Sequence, residues 1–192
     1  MCIRDSVKGN KKIKIVYLHA REIIERLGDG SLDIGFSGYD LLKESELNIQ
    51  NKVIINKKLN FGNATLVVAV PDEWIDVQTL ADLEEISFDF KDNKKSRLRV
   101  ATKYPNLTKE FLFSKGVTQF KLVPSLGATE VYPFTGSSEI LTDITSTGET
   151  LKANNLRILK DGIILKSTAI LMSNKKSSNQ IGLKKILNLL SS

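Results

Sequence analysis

The sequence has few of the residues that usually carry chemistry. In 192 residues it has one cysteine (Cys2), one histidine (His19), one tryptophan (Trp74) and four prolines. A lone cysteine excludes an internal disulfide framework and a cysteine-rich zinc site. A lone histidine excludes a polyhistidine metal centre. No eighteen-residue apolar run is present to form a transmembrane helix. No charged-then-apolar opening stretch reads as a secretory signal. What is present is ordinary for a folded chain: 41% hydrophobic and 26% charged residues. Twenty-eight basic against 22 acidic side chains leave a net charge of +6, which points to an anionic partner. The basic clusters at residues 8–14 and 91–99 lack the interleaved aromatics of a nucleic-acid platform. Neither nucleic acid nor a membrane is expected as partner, and a reduced, cytoplasmic location is.

Met1-Cys2-Ile3-Arg4-Asp5-Ser6 is the translation of a common transposase sequencing adapter. Residues 1–6 are therefore expected to be an artefact, with the native fragment beginning near Val7.

Apolar periodicity predicts strands over 12–18, 32–36, 52–59, 64–70, 99–102, 120–123, 140–144, 156–159 and 163–172. Helices are expected over 19–27, from Ser37-Gly38 onward, 105–115, 127–134, from Thr145–Gly148 onward, and 181–190. Residues 84–97 read as a charged, exposed connection. Alternation of strands and helices predicts an α/β protein with a largely parallel sheet. Two such series joined by a charged connection predict two lobes, with ligands at strand C-terminal ends in a cleft between them.

The sharpest motif is Glu139-Ile140-Leu141-Thr142-Asp143-Ile144-Thr145-Ser146-Thr147-Gly148-Glu149-Thr150. An apolar strand ends in acidic residues and runs into a hydroxyl-rich turn with a glycine, at a helix start. Backbone N–H groups and the hydroxyls of Ser146, Thr147 and Thr150 could cradle a phosphate. Asp143 and Glu139 suit ribose hydroxyls or a Mg²⁺ held between phosphates. The turn lacks the Gly-Lys-Ser/Thr of a Walker loop. Taken alone, Thr147 could equally be a helix cap. Three further turns are candidates: Ser37-Gly38, Thr102-Lys103-Tyr104-Pro105, and Glu130 in Gly127-Ala128-Thr129-Glu130. Lys103 could meet phosphate and Tyr104 could lie against a base. A capped helix, a solvated lysine, a packing tyrosine and an exposed helical glutamate are the plain alternatives.

The stretch Asp143 to Asn154 resembles the phosphoribosyl-diphosphate loop of the ATP phosphoribosyltransferase family. The likeness extends in the family's order to Gly127–Glu130, Val100–Pro105, Phe61-Gly62 with Val67–Pro71, and Asp33–Gly38. The nearest likeness is to the short-form catalytic subunit. It implies a two-lobed fold of the periplasmic-binding-protein type II class, with lobe I at residues 7–98 plus 164–192 and lobe II at 99–163. It also implies the first step of histidine biosynthesis, in which N1 of ATP attacks C1 of 5-phosphoribosyl 1-diphosphate and diphosphate leaves with Mg²⁺. Thr145, Ser146, Thr147, Gly148, Glu149 and Thr150 would hold phosphoribosyl diphosphate, and Asp143 with Glu139 would be catalytic. Ser37, Gly38, Thr102, Lys103, Tyr104 and Glu130 would face ATP. No protein-only metal site is expected. A homo-oligomer and a histidyl-tRNA-synthetase-like regulatory subunit are the implied partners. The family's opening strand and Lys-Gly-Arg-like loop have no counterpart here, so the chain as it stands is expected to lack part of lobe I and, with it, of the ATP site. A non-catalytic bilobal protein binding a solute or nucleotide is the alternative.

Overall fold

Strands and helices alternate along almost the whole chain in a computed structural model, which describes residues 3–7 and 10–191. In order they are β1 (Ile3–Val7), β2 (Asn10–Tyr17), α1 (Ala20–Asp29), β3 (Ile34–Gly38), α2 (Tyr39–Glu44), α3 (Leu47–Gln50), β4 (Val53–Lys58), β5 (Ala64–Pro71), α4 (Leu80–Asp92), β6 (Leu98–Thr102), α5 (Pro105–Ser114), β7 (Phe120–Pro124), β8 (Ile140–Thr145), α6 (Glu149–Ala153), β9 (Leu156–Ser167), β10 (Ala169–Asn174) and α7 (Ile181–Ser191). Contacts divide them into two units, residues 1–62 with 168–192, and residues 63–167.

In the first unit, β10 lies between β3 and β4, and both pairings are antiparallel. Ile24 and Leu27 of α1, Leu42 of α2, and Ile170 and Met172 of β10 form its buried core. β1 and β2 make a separate antiparallel hairpin, with Ile3 opposite Tyr17. Residues 3–6 of the hexapeptide read as adapter-derived thus pair with β2, while Met1 and Cys2 lie outside the described residues.

The second unit is built on a five-stranded sheet in the order β7-β6-β8-β5-β9. Period-two alternation divides its apolar residues between two faces. Val68, Val70, Leu98, Val100 and Ile140 face a core completed by Leu80, Leu83 and Phe90 of α4 and Leu112 of α5. Val67, Ala69, Ala101 and Leu141 face a smaller core with Leu151 and Leu156. Burying both faces explains why β5 reads as an unbroken apolar run rather than an alternation.

The structure departs from five expectations. The sheets are not largely parallel: β6 is parallel to β7 and β8, but every other pairing is antiparallel. Residues 84–97 are not an irregular connection, because α4 runs through most of them. Thr79 and Asp82 form a reciprocal capping box at its start, and Leu80, Leu83, Ser87 and Phe90 make a buried stripe. The charges that looked like a linker are its outer face. The chain changes unit at 62/63 and 167/168 rather than at 98 and 164, because β5 is zipped between β8 and β9. Finally, Gly127–Phe134 holds only a single 3-10 turn, Thr129–Val131. The two strands expected over 156–172 break instead at Thr168. β9 passes through Gly162, where a Cβ would sit 2.9 Å from Leu159 Cβ and 3.1 Å from the Val68 carbonyl oxygen.

Candidate functional site at the ends of two parallel strands

β6 ends beside its parallel neighbour β8, with Thr102 opposite Thr142, and β8 runs on to Thr145. The next residues in sequence are Lys103 and Asp143. Alternation puts Ala101, Lys103, Leu141 and Asp143 on one side of the sheet, and Thr102 and Thr142 on the other. Strand C-terminal ends of this kind are the usual ligand position in α/β sheets.

Asp143 is the electrostatic centre of this end. Burial pushes its carboxyl above the usual aspartate range. A hydrogen bond from the Ile144 N–H (2.9 Å) and the charge of Lys103 act in the opposite sense, while Glu130 reinforces the rise. Lys103 and Glu130, which come from separate turns, are thus both close enough to influence it. A half-buried carboxylate with a nearby cation and a like charge marks a functional position more often than an exposed ion pair does.

The loop after β8 is organised by its own hydroxyls. Gly148 N–H donates to Thr145 Oγ1 (2.8 Å) and Glu149 N–H to Thr147 Oγ1 (3.3 Å). Gly148 has φ +80°, the left-handed region that favours glycine. Ser146, Thr147, Glu149 and Thr150 are exposed around it. α6 has only five residues, so its helix dipole contributes little. Phosphate affinity there must come from local N–H and hydroxyl donors.

The other candidates fare differently. Glu139 lies at the opposite end of β8, and its carboxylate is committed to Arg99. It accepts from Arg99 Nη2 at 2.5 Å, from Nε at 3.0 Å and from the Arg99 backbone N–H at 2.6 Å. Four residues of strand, about 13 Å, separate it from Asp143, so the two carboxylates do not converge. The Thr102 hydroxyl is buried and already bonded, and Tyr104 is only 6% exposed. Tyr104 therefore packs in the interior of its unit. In the first unit, Ser37 donates to the Ala20 carbonyl (2.9 Å), tying β3 to α1, and Gly38 precedes α2. His19 is exposed, and its carbonyl starts α1.

Two concavities lie elsewhere. One, of about 210 Å³, is lined by Gly30, Asn51, Lys52 and Lys175 among others. The other, of about 360 Å³, is lined by Trp74, Ile86 and Phe90 among others. Neither includes Asp143 or the loop. The sequence pattern does not expose the buried hydroxyls of Thr108, Thr129 and Thr142 or the Arg99–Glu139 pair. A threonine directly before each of Lys103, Glu130 and Asp143 was the available signal.

Residues 19–192 match the family model described as HisG: ATP phosphoribosyltransferase. The chain belongs to the ATP phosphoribosyltransferase family. It is 47% identical over 175 residues to the ATP phosphoribosyltransferase of Brucella melitensis biotype 2, covering 91% of this chain and 76% of that protein. The Brucella anthropi ATP phosphoribosyltransferase is 45% identical over the same shares. Among solved structures, the ATP phosphoribosyl transferase (HisG:HisZ) complex from Thermotoga maritima superposes with a TM-score of 0.73 at 26% identity, covering 98% of this chain and 83% of that one. The extracellular-binding protein ytmK from Bacillus subtilis, a probable amino-acid ABC transporter component, matches at TM-score 0.51 and 14% identity, covering 91% and 77%. That second likeness shows the shared periplasmic-binding-protein type of fold alone. Among the described residues, no helix is long and apolar enough to cross a membrane.

Proposed function

We propose that this chain catalyses phosphoribosyl transfer from 5-phosphoribosyl 1-diphosphate to N1 of ATP, the first step of histidine biosynthesis, through the β6 and β8 ends. Membership of the ATP phosphoribosyltransferase family supports the reaction. The observation that carries the site is the half-buried Asp143, under the electrostatic influence of Lys103 and Glu130 and next to the hydroxyl loop.

The chemistry asks little covalent work of the protein. The adenine N1 lone pair forms a bond to C1 while the C1–oxygen bond to diphosphate breaks, and diphosphate takes that electron pair. Positive charge develops on the ribosyl ring during the exchange. Catalysis is then positioning plus electrostatics. The Asp143 carboxylate offsets the ring charge and accepts from ribose hydroxyls. The Lys103 ammonium faces the departing diphosphate. Ser146, Thr147, Gly148 and Thr150 hold the 5-phosphate, with Thr145 bracing the turn from within. Glu139 has no part in it, and Ser37-Gly38 acts by fixing β3 and α2 rather than by offering a free hydroxyl.

Mg²⁺ enters with the diphosphate as part of the substrate. The diphosphate oxygens would supply most of its ligands. By analogy with the Thermotoga complex, the working enzyme is a hetero-oligomer with a HisZ-type regulatory subunit, in the cytoplasm. The test is formation of phosphoribosyl-ATP by the gene product with its regulatory partner. Asp143→Asn should abolish most turnover while phosphoribosyl diphosphate still binds. Undiminished turnover by that variant would overturn the site assignment.

A further inference from the structure

Behind Lys103, Glu130 and Asp143 runs a set of buried hydroxyls that the transfer chemistry does not itself use. Thr142 Oγ1 donates to Thr102 Oγ1 at 2.6 Å. Thr102 and Thr108 hydroxyls are 3.0 Å apart, and Thr108 and Thr142 hydroxyls 2.7 Å. The three close a ring that joins β6, β8 and α5. Thr102 is 2% exposed, and Thr108 and Thr142 are fully buried. A hydroxyl has one proton and two lone pairs. Donation running Thr142 to Thr102 to Thr108 and back to Thr142 uses each proton once. Thr102 also accepts the Tyr104 N–H at 2.9 Å, which fills its second lone pair.

A second pair extends this ring. The Ser125 N–H donates to the Thr102 carbonyl at 3.0 Å, and the Ser125 hydroxyl lies 3.0 Å from that of buried Thr129. Each of the three charged residues therefore follows a buried, hydrogen-bonded threonine: Thr102-Lys103, Thr129-Glu130 and Thr142-Asp143. Well-packed apolar side chains would fill these places at similar cost, since a satisfied buried hydrogen bond contributes little net stability. What the hydroxyls add is direction. They tie the ends of β6 and β8 to each other and to α5 through directional contacts that valines do not make.

We propose that the Thr102–Thr108–Thr142 ring, with Ser125–Thr129, is a positioning device that sets the spacing of Lys103, Glu130 and Asp143 for phosphoribosyl transfer. It rests on the reading of those three residues as the site. Thr108 is the decisive member, because it lies on a helix and is adjacent in sequence to none of the charged residues.

The test replaces Thr108 by the isosteric valine. Two quantities are read: the titration midpoint of the Asp143 carboxyl in the unliganded chain, by carbon-13 NMR with Asp143→Asn assigning the signal, and kcat and KM of the enzyme with its regulatory partner. The expected result is an upward move of the Asp143 midpoint as Lys103 loses its register. With it, kcat should fall about ten- to a hundredfold with little change in KM. Thr108→Ser, which keeps the hydroxyl, should restore both. Thr108→Cys, similar in size and a weak donor, replaces the valine if that variant does not fold. A merely structural role predicts a lower melting temperature with an unmoved Asp143 midpoint and unchanged kcat per folded molecule, and that result overturns the proposal. The titration needs no turnover, so a chain without transferase activity would sink the functional reading alone.

Discussion

Strand β8 carries a carboxylate at each end, and the two live under opposite conditions. Glu139, at the start, meets Arg99 across the neighbouring strand and takes both guanidinium and backbone donors. Asp143, at the other end, has one backbone N–H and the more distant influence of Lys103, set against burial and Glu130. Glu139 is satisfied by the fold, whereas Asp143 is left electrostatically expensive. A residue held at such cost is one that a ligand can relieve.

A substitution at Asp143 separates the two carboxylates most sharply. Asp143→Asn should lower kcat by about 10²–10³-fold, the usual cost of removing one preorganised electrostatic partner. The same variant should be slightly more stable than wild type at neutral pH, which thermal unfolding can check. If Asp143→Asn destabilises the chain, the carboxylate is structural. Next in size is Gly148→Ala. The space is open, since a Cβ would meet only Ile158 Cδ1 at 3.9 Å. Left-handed backbone should nevertheless cost about 1–2 kcal/mol and raise KM for phosphoribosyl diphosphate about tenfold.

At the other end of the strand, Glu139→Ala should cost about 1 kcal/mol of stability, the scale of a partly exposed ion pair, and leave kcat within about twofold. A large loss of kcat with unchanged stability would return Glu139 to the site. Thr79→Ala, at the α4 cap, should cost a similar ~1 kcal/mol with no kinetic effect, and so calibrates what a purely structural loss looks like. The smallest effect is in pH dependence. The Asp143 carboxyl is raised when folded, so between the ordinary aspartate value and its folded value the native state binds more protons than the unfolded one. Its contribution to stability is present below that window and is lost as pH rises through it. Activity, which needs the ionised form, should rise over the same window. Unfolding free energy followed across acid pH should lose this slope in Asp143→Asn and keep it in Glu139→Ala.

Local pattern made much of this readable. The apolar run of β5 and the Pro105 start of α5 were plain in the residues, as was the glycine-bearing turn at 145–150. The α4 helix was misread because its outer face is charged, and its Leu80–Leu83–Phe90 stripe begins before the charges do. Sheet direction was misread because alternation of strands and helices says nothing about which strands pair. Glu139 and Asp143 look equivalent in sequence because they lie close together in one motif.

By itself, then, the amino-acid order determined the family, most element positions, and the loop chemistry that Gly148 and its hydroxyl neighbours supply, because these depend on local backbone preference and short spacing. The tertiary structure alone decided that Arg99 pairs with Glu139, that Tyr104 is buried, and that the charges of Lys103 and Glu130 act on Asp143. Those outcomes depend on which strand ends lie side by side, and a charge's environment is set by neighbours in space that lie far away along the chain.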